Sequence, residues 1–152
     1  MKINWVPVRK GRLALGHRPK LRAIPFLPQE GCACVVTILS EKEGAPIIGN
    51  LVREAGMRWI WIPLASGHPP HKIPAELNEL EEAIQNGASV FLHCSAGMHR
   101  TGMIALAVLR RMGYTEAQSL ELIKAMRIET HAALSQKHMD WANSTVKINS
   151  EL

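Results

Sequence analysis

The sequence predicts an α/β fold, a single compact domain over residues 1–152 with a central, mostly parallel sheet flanked by helices. Three observations carry that expectation. Apolar runs of strand length alternate with helical stretches that stop at glycines, so strand, helix, strand is the repeating order. The run "SVFLH" (89–93) is apolar nearly throughout and lies between a helix stop and a Gly-containing loop, the pattern of a strand buried in the middle of a parallel sheet. That strand runs into "HCSAGMHRTG" and then a second apolar helix, a strand–loop–helix unit that concentrates the chemistry of the chain.

Each element follows from its own pattern. "INWVPV" (3–8) and "RLALG" (12–16) read as short strands, and the Pro-broken "IPFLPQEG" separates them from a third, "CACVVTIL" (32–39). "APIIGNLVREAG" (45–56) reads as a helix ended by Gly56, and "MRWIWIPL" (57–64) as a buried strand stopped at Pro63. "ASGHPPHKIP" (65–74) is a loop, and "AELNELEEAIQNG" (75–87) an amphipathic helix with Leu77, Leu80 and Ile84 on one face. After the strand at 89–93, a helix runs from Thr101 to Gly113. "TEAQ" (115–118) has the form of a capping box for "EAQSLELIKAMR", and residues 134–146 make a last helix.

Composition narrows the function classes. An apolar fraction of 47% with 20% charged residues fits a folded core rather than disorder. The longest clean apolar run, Met103–Leu109, is too short to span a bilayer, and "MKINWVPVRK" lacks the apolar stretch of a signal peptide. The expectation is therefore a cytoplasmic, monomeric protein with no membrane partner. Three cysteines give no disulfide framework and no second pair for zinc, so no metal and no cofactor are expected. The net charge of +5 suits an anionic partner. Its basic residues are dispersed along the chain, which favours a phosphorylated protein or small phosphomonoester over nucleic acid.

The loop supplies the chemistry. A strand end, a turn of small residues and a helix opening at Arg100-Thr101-Gly102 form a geometry for an oxyanion, with loop amides pointing inward and the helix N-terminus adding its positive dipole end. Cys94 at the base of such a cradle is favoured as thiolate, the nucleophilic form. Arg100 can fold back over the loop and take two phosphoryl oxygens with its planar fork. Gly97 permits the bend, Gly102 lets the helix start pack closely against the loop, and the Thr101 hydroxyl can assist departure of the sulfur.

His-Cys-x5-Arg-Thr-Gly between an apolar strand and an apolar helix resembles the signature of cysteine-dependent protein tyrosine phosphatases, most closely the small dual-specificity branch. The likeness extends to "INWVPVRKGRLALGHRP" near the start and to "AMRIETHAALSQKH" after the helix. It implies a metal-independent phosphocysteine mechanism: Cys94 as nucleophile, Arg100 on the phosphate, Ser95, Ala96, Gly97, Met98 and His99 as loop amides, Thr101 as the hydroxyl and His93 as the loop-positioning histidine. Gln136 falls where some relatives place a water-orienting glutamine.

One departure has consequences. The family protonates the leaving oxygen with an aspartate in the loop after the preceding strand, whereas "WIPLASGHPPHK" contains none, and Asp140 is the sole aspartate of the chain. His68 is the expected substitute acid, with His71 in the same loop and a glutamate such as Glu76 or Glu129 as alternatives. Weak acid assistance favours a phenol leaving group, of pKa about 10, over a more basic alkoxide. The loop also lacks the lysines that relatives acting on inositol polyphosphates carry. Two rival readings use the same loop: a phosphate-binding module that lost turnover with its aspartate, and sulfur or arsenate chemistry of the rhodanese or arsenate reductase kind. Cys32 and Cys34 are expected to pack in the core, with redox pairing to Cys94 as the alternative. Trp59 and Trp61 are expected to be packing residues.

Overall fold

A computed structural model describes residues 2–146. Its sheet has five strands, β1 (Val6–Val8), β2 (Gly11–Gly16), β3 (Cys34–Thr37), β4 (Arg58–Trp61) and β5 (Ser89–His93). Their order across the sheet is β1-β2-β5-β3-β4, with only the β1–β2 hairpin antiparallel. The strand at 89–93 is central as predicted, flanked by β2 and β3. β4, expected to be buried, is the edge strand, and only Ile60 of its four residues is fully buried.

The described residues also form six α-helices: α1 (Ala45–Glu54), α2 (Glu76–Gln85), α3 (His99–Arg111), α4 (Glu116–Met126), α5 (Ile128–Ala133) and α6 (Gln136–Ser144). The sheet buries both faces. Leu13, Val36, Val90 and Leu92 pack against α2, α3, α4 and α6, while Ala14, Val35 and Phe91 pack against α1 and a long 3-10 helix, Leu21–Glu30. Among the described residues no helix is long and apolar enough to cross a membrane.

Three local differences from the sequence reading have physical causes. The Pro-broken stretch is ordered into that 3-10 helix, because Ile24 and Leu27 find a core against α1 that outweighs the lost hydrogen bonds of Pro25 and Pro28. Residues 128–133 form α5, a helix too short for periodicity to reveal. The central helix starts at His99, two residues earlier than expected, so that Arg100 and Thr101 lie in its first turn.

All the parallel strands end along one edge. From it emerge the segments after β2 (His17, Arg18), after β3 (Ser40–Glu43), after β4 (62–74) and after β5 (94–98), the edge at which open α/β sheets place ligands.

Candidate active site

Cys94 follows the last residue of β5 and is buried. The backbone beyond it is held from outside, carbonyl by carbonyl. The Cys94 oxygen accepts from His93 Nδ1 at 3.0 Å, and the Ser95 oxygen accepts from the Arg18 backbone N–H at 2.9 Å. Arg127 Nη1 donates to the Ala96 oxygen at 3.2 Å and to the Gly97 oxygen at 2.9 Å, and the Thr130 hydroxyl donates to Gly97 as well. In a trans peptide the carbonyl and the next N–H point opposite ways. Four outward carbonyls therefore turn the amides of Ser95, Ala96, Gly97 and Met98 toward the interior of the loop. No side chain caps α3, so its first amides are also open to an anion.

Gly97 makes the bend possible. Its φ is 73°, and a Cβ there would lie 2.4 Å from the carbonyl of Gly16. Gly102 has a different role from the one expected: a Cβ would meet Thr130 and Leu134 at 3.1 Å, so it admits the α5 segment against α3 rather than the loop.

Arg100 is buried and its guanidinium is shared. Nη1 donates to Glu43 Oε1 at 2.7 Å and to the Leu64 carbonyl at 2.9 Å, and Nη2 donates to Glu43 Oε2 at 3.0 Å. A guanidinium has five N–H groups. Three are taken, and the remaining Nε–H and second Nη2 proton form an edge able to hold two oxygens of a tetrahedral anion. Glu43 is itself fixed by a capping box with Ser40, and Arg18 donates to its backbone carbonyl. The Arg100 hydrogen bonds hold the Glu43 carboxyl down to about 2, and Glu43 in turn raises Arg100 further above neutrality. Glu43 is thus a permanent anion, fit to position Arg100 and unfit to donate a proton.

Below the loop lies a relay. Trp59 Nε1 donates to Thr37 Oγ1 at 2.8 Å, and Thr37 Oγ1 lies 2.8 Å from His93 Nε2. The Cys94 carbonyl can only accept, which puts the His93 proton on Nδ1, and Nε2 then accepts from the Thr37 hydroxyl, whose oxygen takes the tryptophan N–H. Burial lowers His93 to about 4, so the relay holds a neutral imidazole. Trp59, expected mainly to pack, is also the start of this chain.

The histidines of the 65–74 loop separate. His68 is exposed and lines a pocket of about 280 Å³ with Gly67, His99, Ser135, Lys137 and His138. His71 is exposed and outside that pocket. The loop is strapped to α6, because His138 Nε2 lies 2.9 Å from the Gly67 carbonyl and Trp141 Nε1 donates to the Pro70 carbonyl at 3.2 Å. Gln136 places its amide on Asp140 at 2.8 Å, away from this pocket. Thr101 is fully buried, and its hydroxyl has no partner among the described residues. Cys32 and Cys34 are buried in the two opposite cores, and desolvation pushes their thiols up to about 11 and about 12. Neither is a ready thiolate near neutral pH. Among the described residues no group of three or more His, Cys, Asp and Glu is placed to hold a metal ion.

The residues that sequence reasoning missed are Glu43, Arg18, Thr37, Arg127 and Thr130. Arg18, Arg127 and Thr130 lie in segments that carry the likeness but show no role there, because each of the five acts on a partner 22 to 77 positions away in the chain.

This arrangement agrees with an independent comparison. A family model described as "Tyrosine phosphatase family" matches residues 55–138, more than half of the chain. The chain belongs to the tyrosine phosphatase family. Several solved phosphatases share its fold. Kinase associated phosphatase, crystallised with its catalytic-site cysteine changed to serine, is 16% identical, with 93% of this chain and 92% of that one covered at a TM-score of 0.73. PTPMT1 in complex with PI(5)P is 16% identical, covered 93% and 94%, at 0.74, and Tk-PTP in its active form is 17% identical, covered 93% and 95%, at 0.70. No curated protein sequence matched. For a tyrosine phosphatase family member, the loop from Cys94 to Arg100 is the candidate active site, and Glu43 and the His93 relay are the devices by which this chain holds it.

Proposed function

We propose that this phosphatase hydrolyses aryl phosphomonoesters, phosphotyrosine in proteins foremost, through a phosphocysteine intermediate on Cys94. One observation carries the reading. Four carbonyls pinned outward and an Arg100 with two of its five N–H groups open leave inward amides and one guanidinium edge around the same point, a ready cradle for the equatorial oxygens of a phosphoryl group.

In the first step the Cys94 thiolate attacks phosphorus in line, the S–P bond forms and the P–O bond to the leaving group breaks. His68 supplies the proton to the leaving oxygen. Water then attacks phosphorus and gives a proton back to His68, the S–P bond breaks, inorganic phosphate leaves, and the Thr101 hydroxyl supports the returning thiolate. The 65–74 loop has no aspartate, and Glu43 is committed to Arg100, so proton donation is the weak part of the machinery. That weakness supports aryl over alkyl esters, because a phenolate departs with less assistance.

The test is the pH dependence of kcat/KM for p-nitrophenyl phosphate and a phosphotyrosine peptide, with wild type, Cys94→Ser and His68→Ala compared. The expected result is loss of turnover in Cys94→Ser, and in His68→Ala a loss of the alkaline-side fall in rate that is larger for the peptide. Turnover retained in Cys94→Ser would overturn the covalent mechanism. Peptide binding without peptide turnover in wild type would make the domain a phosphate-binding module, the reading that the missing aspartate otherwise favours.

A further inference from the structure

The β4–α2 loop is held by its backbone at three points, three residues apart. Arg100 takes the Leu64 carbonyl, His138 Nε2 lies 2.9 Å from the Gly67 carbonyl, and Trp141 Nε1 donates to the Pro70 carbonyl at 3.2 Å. The first hold belongs to the phosphate cradle, whereas the other two reach across from α6. His138 and Trp141 stand three positions apart on that helix, hence on one face, and both are buried. A carbonyl can only accept, so the His138 proton sits on Nε2 for Gly67, and Nδ1 accepts the Ser135 backbone N–H at 3.2 Å as one half of a capping box. Both ring nitrogens are therefore committed. Gly67 is also pressed against the start of α3, since a Cβ there would lie 2.6 Å from the Cβ of His99, the residue before Arg100. His68 comes next in the chain, one residue beyond this double hold.

We propose that His138 and Trp141 are positioning residues for the first step: they hold the β4–α2 loop from α6 and so keep its proton donor within reach of the leaving oxygen. The inference rests on the reading above in which that donor is His68. General acid catalysis requires the donor at hydrogen-bond distance from the departing oxygen, and "ASGHPPHKIP" has no helix or strand of its own to set that distance. The two side chains of α6 supply it. Among the described residues neither donates to a carbonyl of the phosphate loop, so their loss acts on proton transfer rather than on the anion cradle.

The experiment compares kcat/KM for phenyl phosphate, whose leaving group has a pKa of about 10, with that for p-nitrophenyl phosphate, whose nitro group lets the phenolate depart with less help. The chains are wild type, His138→Ala, His138→Gln and Trp141→Phe, each also in a His68→Ala background, with circular dichroism to confirm folding. His138→Ala is expected to lose about tenfold on phenyl phosphate and about twofold or less on p-nitrophenyl phosphate, because a misplaced acid matters in proportion to the help the leaving group needs. Trp141→Phe should lose in the same direction, by less. His138→Gln should recover most of the loss, since its amide nitrogen can donate to Gly67 while its oxygen accepts from Ser135 as in an ordinary capping box. In the His68→Ala background none of the three should lose further. An equal fold-loss on the two esters would overturn the inference, as would an undiminished His138→Ala loss on top of a His68→Ala chain that is itself slow. A His68→Ala chain as fast as wild type, with the His138→Ala loss still confined to phenyl phosphate, would leave the hold from α6 standing and overturn His68 as the donor instead.

Discussion

Glu43 takes Arg100 by both carboxylate oxygens, at 2.7 and 3.0 Å, and thereby decides which edge of the guanidinium faces the phosphate loop. A free arginine on a helix start samples several rotamers. One clamped by a bidentate carboxylate and by the Leu64 carbonyl presents a single pair of donors.

The consequence is a loss in Glu43→Gln that exceeds one neutralised charge. Glutamine accepts one Arg100 hydrogen bond at most in the same geometry, so the guanidinium is freed to rotate. We expect kcat/KM for p-nitrophenyl phosphate to fall about 10- to 100-fold, within the range for misplacing an oxyanion donor. Glu43→Asp should recover little, because its shorter stem cannot reach both nitrogens. Steady-state kinetics on the three chains, with circular dichroism to confirm folding, check this. Because the carboxyl titrates at about 2, its contribution to stability is complete above the ordinary glutamate range and is lost only as pH falls from there toward 2.

His93 predicts a second pH effect, of different range. Its folded value of about 4 lies below the ordinary 6.5, so the unfolded chain binds more protons between those limits. Stability is full above pH 6.5 and declines as pH falls toward 4, by on the order of 3 kcal/mol when the shift is converted at 1.36 kcal/mol per pH unit. Burial lowers His138 too, which adds a loss of the same sign. Urea midpoints measured at several pH values from 7.5 to 4 give the slope. His93→Asn should flatten it, and an unchanged slope in that variant would assign the acid sensitivity to other groups.

The Trp59–Thr37–His93 chain makes a separable prediction. Trp59→Phe removes the N–H that orients the Thr37 hydroxyl, together with the outer indole carbons that lie against Gly49. The hydroxyl can then turn away from Nε2, which leaves the His93 ring, and with it the Cys94 carbonyl, less firmly oriented. A stability loss of about 2 kcal/mol is expected, one buried hydrogen bond and the lost ring contact together, with a loss in kcat of about severalfold. Denaturant unfolding and kinetics on the same preparation measure both.

The sequence made the fold and the centre of the site legible for reasons that are local. The central strand, the loop and α3 are contiguous, and Gly97, Arg100 and Thr101 stand at fixed offsets from Cys94. The supports are legible only in space. Glu43 follows a different strand and meets Arg100 57 positions later, and the matched family segment begins after both Glu43 and Thr37. Arg127 and Thr130 act on backbone carbonyls, which leave no trace in side-chain pattern. Edge placement of β4 escaped for a related cause: Trp59 and Trp61 are apolar enough to read as buried, but their indole N–H groups reach Thr37 and the Leu39 carbonyl from a half-exposed strand.

Thr101 separates stability from catalysis most cleanly. Its hydroxyl is buried without a partner among the described residues, an arrangement that costs the folded state the desolvation of a polar group, about 1 kcal/mol or more. Valine has nearly the same shape and no polar atom to leave unpaired. Thr101→Val should therefore hold or raise the unfolding midpoint, while removing the group proposed to support the departing thiolate in the second step. The expected kinetic result is slower hydrolysis of the phosphocysteine, by about tenfold, with a burst of p-nitrophenol before a reduced steady state. A destabilised Thr101→Val would mean that the hydroxyl is satisfied in the resting protein. A stable variant with unchanged kinetics and no burst would remove Thr101 from the second step.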